Sequence, residues 1–166
     1  MIRKCAVSDF EMIYEIINES SKVYRGIIPD DRWKEPYMPR NELQSEIEAG
    51  VNFSGYDVDG ELVAVMGIQD VRDVTLIRHA YTRTAEQGKG FGKELLENLS
   101  SQTNKPILIG TWAESYWAIS FYEKNGFCHT TSAEKDMLLR KYWNIPERQI
   151  ATSVVLSNVP VDKLVR

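Results

Sequence analysis

Apolar positions recur along this chain with two different periods, and the period switches several times. Phe10, Ile13, Tyr14 and Ile17 fall three and four residues apart, the spacing of one helical face. Ser8 followed by Glu11 offers a capping box ahead of that helix. Residues 2–6 before it read as a short strand, and the helix is expected to end between residues 20 and 25. Residues 24–40 then lose all period. Gly26, Pro29, Pro36 and Pro39 break the segment up, and Trp33, Tyr37 and Met38 are scattered through it, so a loop or a broken helix is expected. A short helix over 41–49 follows, with Asn41 as its cap, Leu43 and Ile47 as its stripe and Gly50 as its stop.

The period becomes two from residue 51. Strands are predicted over 51–58 and 61–71, joined by Asp59-Gly60, a strong two-residue hairpin signal. In the second of these, Leu62, Ala64, Met66 and Ile68 alternate with Val63, Val65 and Gly67. Both faces are apolar or small, which predicts a central strand covered on both sides. Arg72-Asp73 turns the chain into a third strand over 74–82. A helical face returns with Phe91, Leu95 and Leu99, flanked by Leu96, and residues 107–111 form an apolar strand. Strand, loop, helix and strand make one crossover, so 107–111 should run parallel to 74–82. A second helix is expected over 115–125, with Ala118, Phe121 and Tyr122 on one face and Asn125-Gly126 as its stop. A strand over 127–131, a short helix or ordered loop over 134–148 and a last strand over 151–156 complete the chain.

Length and composition narrow the classes. A chain of 166 residues suits one domain, and 43% hydrophobic with 27% charged residues is ordinary globular usage. The net charge of −4 argues against a nucleic-acid binder. The sequence shows no signal segment and no apolar run of about 18 residues, so no membrane association is expected. Cys5 and Cys128 lie outside any paired motif and read as free thiols of a cytoplasmic protein. Two histidines, His79 and His129, exclude a histidine-rich metal site.

The candidate chemistry sits between the third strand and its helix. Gln87, Gly88, Lys89, Gly90, Phe91, Gly92 and Lys93 place three glycines and two lysines at a helix entry. Glycine lets backbone N–H groups approach a ligand, and a helix N-terminus has unpaired donors and a positive dipole end. That combination suits a phosphate. The nucleotide P-loop pattern is absent, and Gly-x-Gly-x-Gly at this place fits the dinucleotide fingerprint poorly. Gln87, Gly90 and Gly92 instead satisfy Gln/Arg-x-x-Gly-x-Gly/Ala. A second segment, from Ala118 through Phe121-Tyr122-Glu123-Lys124 to Gly126-Phe127, follows about 30 residues later.

Together these two segments resemble the signatures of the GCN5-related N-acetyltransferases, and the order of elements is similar to that family's over nearly the whole chain. The resemblance implies an α+β (mixed α/β) fold: a mostly antiparallel sheet with two splayed parallel strands, flanked by helices. It also implies acetyl-CoA as co-substrate and transfer of the acetyl group to an amine of a small molecule or peptide. Backbone at Ala80, Tyr81 and Thr82 would pair with the pantetheine arm, and residues 87–93 would hold the pyrophosphate. Ser115 stands where the family often has an asparagine that contacts that arm, and Thr84 where it often has a proline. Tyr122 falls at the position of the family's general acid. Many members form dimers, so a homodimer is expected.

Amine attack on a thioester needs a proton acceptor, donors for an oxyanion and a proton for the leaving thiolate. Many family members place a glutamate on the strand before the loop; this chain has none there. His79 is a candidate base, since imidazoles titrate near neutral pH; Asp73, Glu114 and a water chain are the alternatives. Residues 24–40 and 134–148 are expected to line the acceptor site. A non-catalytic acyl-CoA sensor is the competing reading, against which stands the retained Tyr122.

Overall fold

The computed structural model describes residues 1–165. The chain opens with β1 (Ile2–Lys4), α1 (Phe10–Ser20) and α2 (Arg40–Glu48). Three strands follow, β2 (Asn52–Val58), β3 (Glu61–Val71) and β4 (Val74–Thr82), then α3 (Phe91–Ser100) and β5 (Ile107–Trp112). The rest is α4 (Tyr116–Lys124), β6 (Cys128–His129), α5 (Ser132–Tyr142), α6 (Glu147–Ala151) and β7 (Ser153–Ser157). The strands form one seven-stranded sheet in the order β1-β2-β3-β4-β5-β7-β6. All neighbours are antiparallel except β4 and β5, which the α3 crossover makes parallel. No described helix is long and apolar enough to cross a membrane.

Local chemistry accounts for the turns. Asp59 (φ 53°) and Gly60 (φ 89°) take the left-handed conformations that a two-residue hairpin demands. Gly50 (φ 108°) follows α2 in the same way. The cap of α1 differs from expectation. Asp9 accepts the Ala6 N–H at 2.6 Å in place of a Ser8–Glu11 box, because a short 3-10 turn over Val7–Asp9 precedes the helix. Pro39, not Asn41, stands at the head of α2, where a missing N–H costs nothing. Residues 134–148 resolve into two helices. The first is capped by Thr131, whose side chain accepts from Glu134 N at 3.2 Å while Glu134 Oε1 accepts from Thr131 N at 2.9 Å.

Both faces of β3 are buried, as its composition predicts. On one face Ala64, Met66, Ile77, Ile107 and Ile109 pack with Leu95, Leu96 and Leu99 of α3 and Ile119 and Tyr122 of α4. On the other, Leu62 and Val65 meet Ile13, Ile16 and Ile17 of α1 and Leu43 of α2. Farther along that second face, Leu76, Leu108 and Val155 meet Leu138, Leu139 and Tyr142 of α5. Each such aliphatic side chain contributes about 1.5–3 kcal/mol on burial, so the helices that frame the sheet are held firmly.

One polar cluster ties β1 to the start of α1. Arg3 donates to both oxygens of the buried Asp9, at 2.8 and 3.0 Å, and to Asp57 at 3.0 Å. The Arg3 hydrogen bonds hold the Asp9 carboxyl below the ordinary aspartate range, against the opposing effect of burial. A depressed folded-state pKa means the stabilisation is present above the ordinary carboxylate range and is lost as pH falls through the lower folded value. Asp9→Asn should therefore cost about 2 kcal/mol in urea unfolding at neutral pH, the scale of charge-assisted hydrogen bonds. The gap between variant and parent should narrow in acid; a gap constant with pH would sink the assignment.

Candidate active site

The site begins where two parallel strands part. β4 and β5 pair only at Thr75–Ile107, Leu76–Leu108 and Ile77–Ile109. Beyond that point β5 pairs only with β7, through Gly110, Thr111 and Trp112. Residues 78–82 of β4 thus lose their neighbour on that side, and a wedge opens whose walls carry backbone N–H and C=O groups in need of partners. A bulge sharpens the opening. Tyr81 lies opposite Val65 and Arg78 opposite Gly67, so His79 and Ala80 together face one residue of β3. His79 adopts φ 53°, a conformation rare for a side-chain-bearing residue. A bulge of this kind bends its strand and re-aims the side chains beside it.

On the α3 side of the wedge lies a cavity of about 400 Å³, within the usual size range of ligand pockets. Ala80, Tyr81, Thr82, Gln87, Gly88, Gly90, Phe91, Gly92 and Lys93 line it, as do Tyr122 and Ala118. Gly88 (φ 81°) and Gly90 (φ 87°) turn the loop through left-handed conformations, and Gly90 caps α3. The Glu94 N–H is the first to reach a helical carbonyl, that of Gly90, at 3.1 Å. The N–H groups of Phe91, Gly92 and Lys93 are left over at the positive end of the helix, an anion cradle beside the Lys93 side chain. The Gln87 amide anchors the loop by donating to the Thr82 carbonyl at 3.3 Å, which also accepts from Ser20 Oγ at 2.7 Å.

Two expected contacts are not brought to this cavity. Lys89 does not line the cavity; its ammonium pairs at 2.7 Å with Glu86, which does. Ser115 is fully buried; its hydroxyl donates to the Trp112 carbonyl at 2.7 Å and meets Thr111 Oγ1 at 3.0 Å, so it anchors the start of α4.

A second, smaller cavity of about 140 Å³ opens on the other side of the wedge. Tyr24 and Tyr37 come from the proline-broken segment, and Leu139, Trp143 and Ile145 from the region of α5. Both segments expected to wall an acceptor site contribute. The walls are aromatic: Tyr24 lies 5.6 Å from Tyr37 and 6.5 Å from Tyr81 between ring centroids, and Trp112 Nε1 donates to the Tyr37 hydroxyl at 2.8 Å. Burial pushes the Tyr24 hydroxyl up to about 12 and that of Tyr81 well above its ordinary value. Gly110 leaves room for Trp143, whose ring an added Cβ would meet at 3.2 Å.

Tyr24, Ala80, Tyr81, Ala118 and Tyr122 line both cavities. The Tyr122 ring is held edge-on between Phe121 and Phe127, at 5.2 and 6.1 Å. Burial raises its pKa far above neutral, so the hydroxyl keeps its proton as a donor. It has no hydrogen-bond partner among the described residues, yet it is not one of the sealed, unsatisfied atoms, which belong to Arg32, Glu46 and His79. The hydroxyl therefore opens on the junction of the cavities. His79 is placed differently. It lines the second cavity, but its ring stacks on Phe53 and its Nε2 contacts Glu46 of α2, on the face of the sheet opposite Tyr122.

The sequence signature of the acetyltransferase (GNAT) domain matches residues 17–138, most of the chain. The chain belongs to the GNAT acetyltransferase family. It is accordingly an acetyl-CoA-dependent acetyltransferase, and acetyl-CoA is its co-substrate. Solved structures share the GNAT fold. The PaiA N-acetyltransferase of Thermoplasma acidophilum, in complex with coenzyme A, is 20% identical with a TM-score of 0.71, over 96% of this chain and 98% of that one. A GNAT acetyltransferase of Staphylococcus aureus Mu50 is 16% identical with a TM-score of 0.70, over 96% and 99%. The ribosomal-protein-S18-alanine N-acetyltransferase of Escherichia coli is 17% identical with a TM-score of 0.65, over 95% and 91%. Comparison with curated protein sequences gives no match. The GNAT wedge and glycine loop fit coenzyme A: the loop offers unpaired N–H donors to a pyrophosphate, and the wedge offers unpaired strand groups to amides. Sequence reasoning missed Glu46, Trp112 and Trp117; the last lines the first cavity and stacks on Tyr24 at 5.8 Å.

Proposed function

We propose that this chain acts as a single N-acetyltransferase domain that acetylates a primary amine of a small molecule or peptide by direct attack in a ternary complex. The observation that carries the reading is the junction of two cavities at Tyr122, one reaching back to the glycine loop and the other walled by aromatic rings. The co-substrate supplies an activated acetyl thioester. Gln87, Gly88, Gly90, Phe91, Gly92 and Lys93 hold its pyrophosphate, and the open edge of β4 at Ala80, Tyr81 and Thr82 aligns its arm. A backbone N–H near Tyr81 or Thr82 donates to the developing oxyanion. Tyr122, kept protonated by burial, gives its proton to the leaving sulfur as general acid. His79 takes the proton of the amine. The aromatic second cavity receives the acceptor, whose body is slender and apolar or aromatic. A cytoplasmic setting accords with the two free cysteines, and a homodimer with the habit of the family.

The test is release of free thiol from acetyl-CoA across amino acids, arylalkylamines, polyamines, aminoglycosides and peptides. At least one class should give saturable turnover. Tight coenzyme A binding with no thiol release from any amine would replace this reading with that of an acyl-CoA sensor.

A further inference from the structure

The general base and its surroundings hold a feature that no motif marks. Glu46 lies on α2 and His79 on the β4 bulge, and both side chains are largely withdrawn from solvent, at 21% and 15% exposure. The two carboxylate oxygens have different partners. Oε1 accepts from Arg78 at 3.1 Å, while Oε2 contacts His79 Nε2. Oε2 and Nε2 are sealed from water and accept or donate no other hydrogen bond, and they lie against each other, so each is the other's one available partner. Arg78 is steered in turn by Gln69, at 3.2 Å. The other charge acting on Glu46 is Lys34, itself paired with Glu42 at 3.0 Å.

The chemistry of that contact decides the state of the ring. Burial opposes ionisation of Glu46, but His79, Arg78 and Lys34 together outweigh it and hold the carboxyl below its ordinary range. An ionised carboxylate can only accept a hydrogen bond. Nε2 must therefore carry the hydrogen, and in a neutral imidazole the lone pair is then on Nδ1. Nδ1 has no hydrogen-bond partner among the described residues, and His79 contributes to the lining of the second cavity.

We infer that Glu46 is a positioning residue of this site: its carboxylate locks His79 in the tautomer whose Nδ1 is free to take the proton of the acceptor amine. The inference rests on the proposed acetyl transfer and names the device behind its base. In the step, an N–H bond of the substrate ammonium breaks and an Nδ1–H bond forms, directly or through one water. The amine keeps the electron pair with which it attacks, and the positive charge passes to an imidazole that already faces Glu46. The left-handed backbone at His79 and the stacking on Phe53 fix where that ring stands.

The experiment combines nitrogen-15 NMR of the imidazoles with steady-state kinetics for the parent, Glu46→Gln and His79→Gln. Only two histidines exist, so the His79→Gln spectrum assigns both. In the parent, neutral His79 should show a protonated Nε2 and an unprotonated Nδ1. Glu46→Gln should abolish that preference, because an amide can donate as well as accept. It should also lower kcat/KM for the amine by about tenfold or more, within the span of general base catalysis, with KM for acetyl-CoA and the unfolding midpoint little changed. A double variant carrying both Glu46→Gln and His79→Gln should be no slower than His79→Gln alone. An unchanged tautomer in Glu46→Gln overturns the inference, and so does full activity in His79→Gln. Failure of the transfer reading looks different: no amine gives turnover, while the spectra still report whether Glu46 sets the tautomer.

Discussion

Tyr122→Phe should lower kcat by about a hundredfold or more while leaving the protein folded and able to bind coenzyme A. The magnitude is that of one general acid removed from its reaction. The expectation of an intact fold comes from the packing. Phe121 and Phe127 hold the ring by its edges, and phenylalanine retains those contacts. The hydroxyl has no partner among the described residues, so its loss strands no buried donor or acceptor. A core tyrosine of purely structural use would behave the opposite way, with a small effect on rate. The raised pKa adds a second readout. Because Tyr122 stays protonated through the neutral and mildly alkaline range, any alkaline limb in the rate profile there belongs to another group and persists in the variant. Steady-state thiol release from pH 6 to 9, with urea unfolding alongside, measures both. An unchanged kcat in Tyr122→Phe would remove the residue from the mechanism.

How much of this was legible beforehand depends on the range of the interactions involved. The hairpin at Asp59-Gly60 and the parallel crossover into β5 are written locally, in turn residues and in alternation, and they stand where expected. The glycine loop is equally local. Helix starts were less legible because one turn offers several capping groups. Asp9 outcompeted Ser8 once Arg3 had fixed its carboxylate, and that pairing bridges two elements. The capping box of Thr131 and Glu134 starts α5, although the sequence leaves 134–148 open between a short helix and an ordered loop and reads Thr131 as the end of a strand. The bulge is a different matter. His79 takes a left-handed conformation that glycine or asparagine would have advertised, and only the register of β3 against β4 reveals it. Glu46 was silent for the same reason: in sequence it is one more acidic residue on an exposed-looking amphipathic helix, and it gains meaning only when α2 lies across β4. Ser115 shows the converse: its place in a motif pointed to a ligand, while its buried hydroxyl donates within the turn before α4, an interaction that only the fold reveals.

Gly90→Val should weaken coenzyme A binding by about ten- to a hundredfold, and by a route other than a clash. A side chain at Gly90 meets no atom within 4 Å, so it intrudes on nothing in the protein. The strain is in the backbone. Gly90 sits at φ 87°, where a β-branched residue is badly disfavoured, at a cost of about 1–3 kcal/mol. The loop is exposed, and the cheapest relief is to leave the left-handed region. That rotation swings the peptide that leads into α3 and turns the N–H groups of Phe91, Gly92 and Lys93 away from their common focus. What is lost is an arrangement of donors, so the loss should follow the phosphates of the ligand. Calorimetry with coenzyme A and with pantetheine, which lacks them, separates the two: affinity for the first falls and affinity for the second holds, because pantetheine needs only the open edge of β4. Equal losses for both ligands would mean that the substitution had disturbed the wedge itself. Unaltered affinity for coenzyme A would mean that the loop does not hold its pyrophosphate.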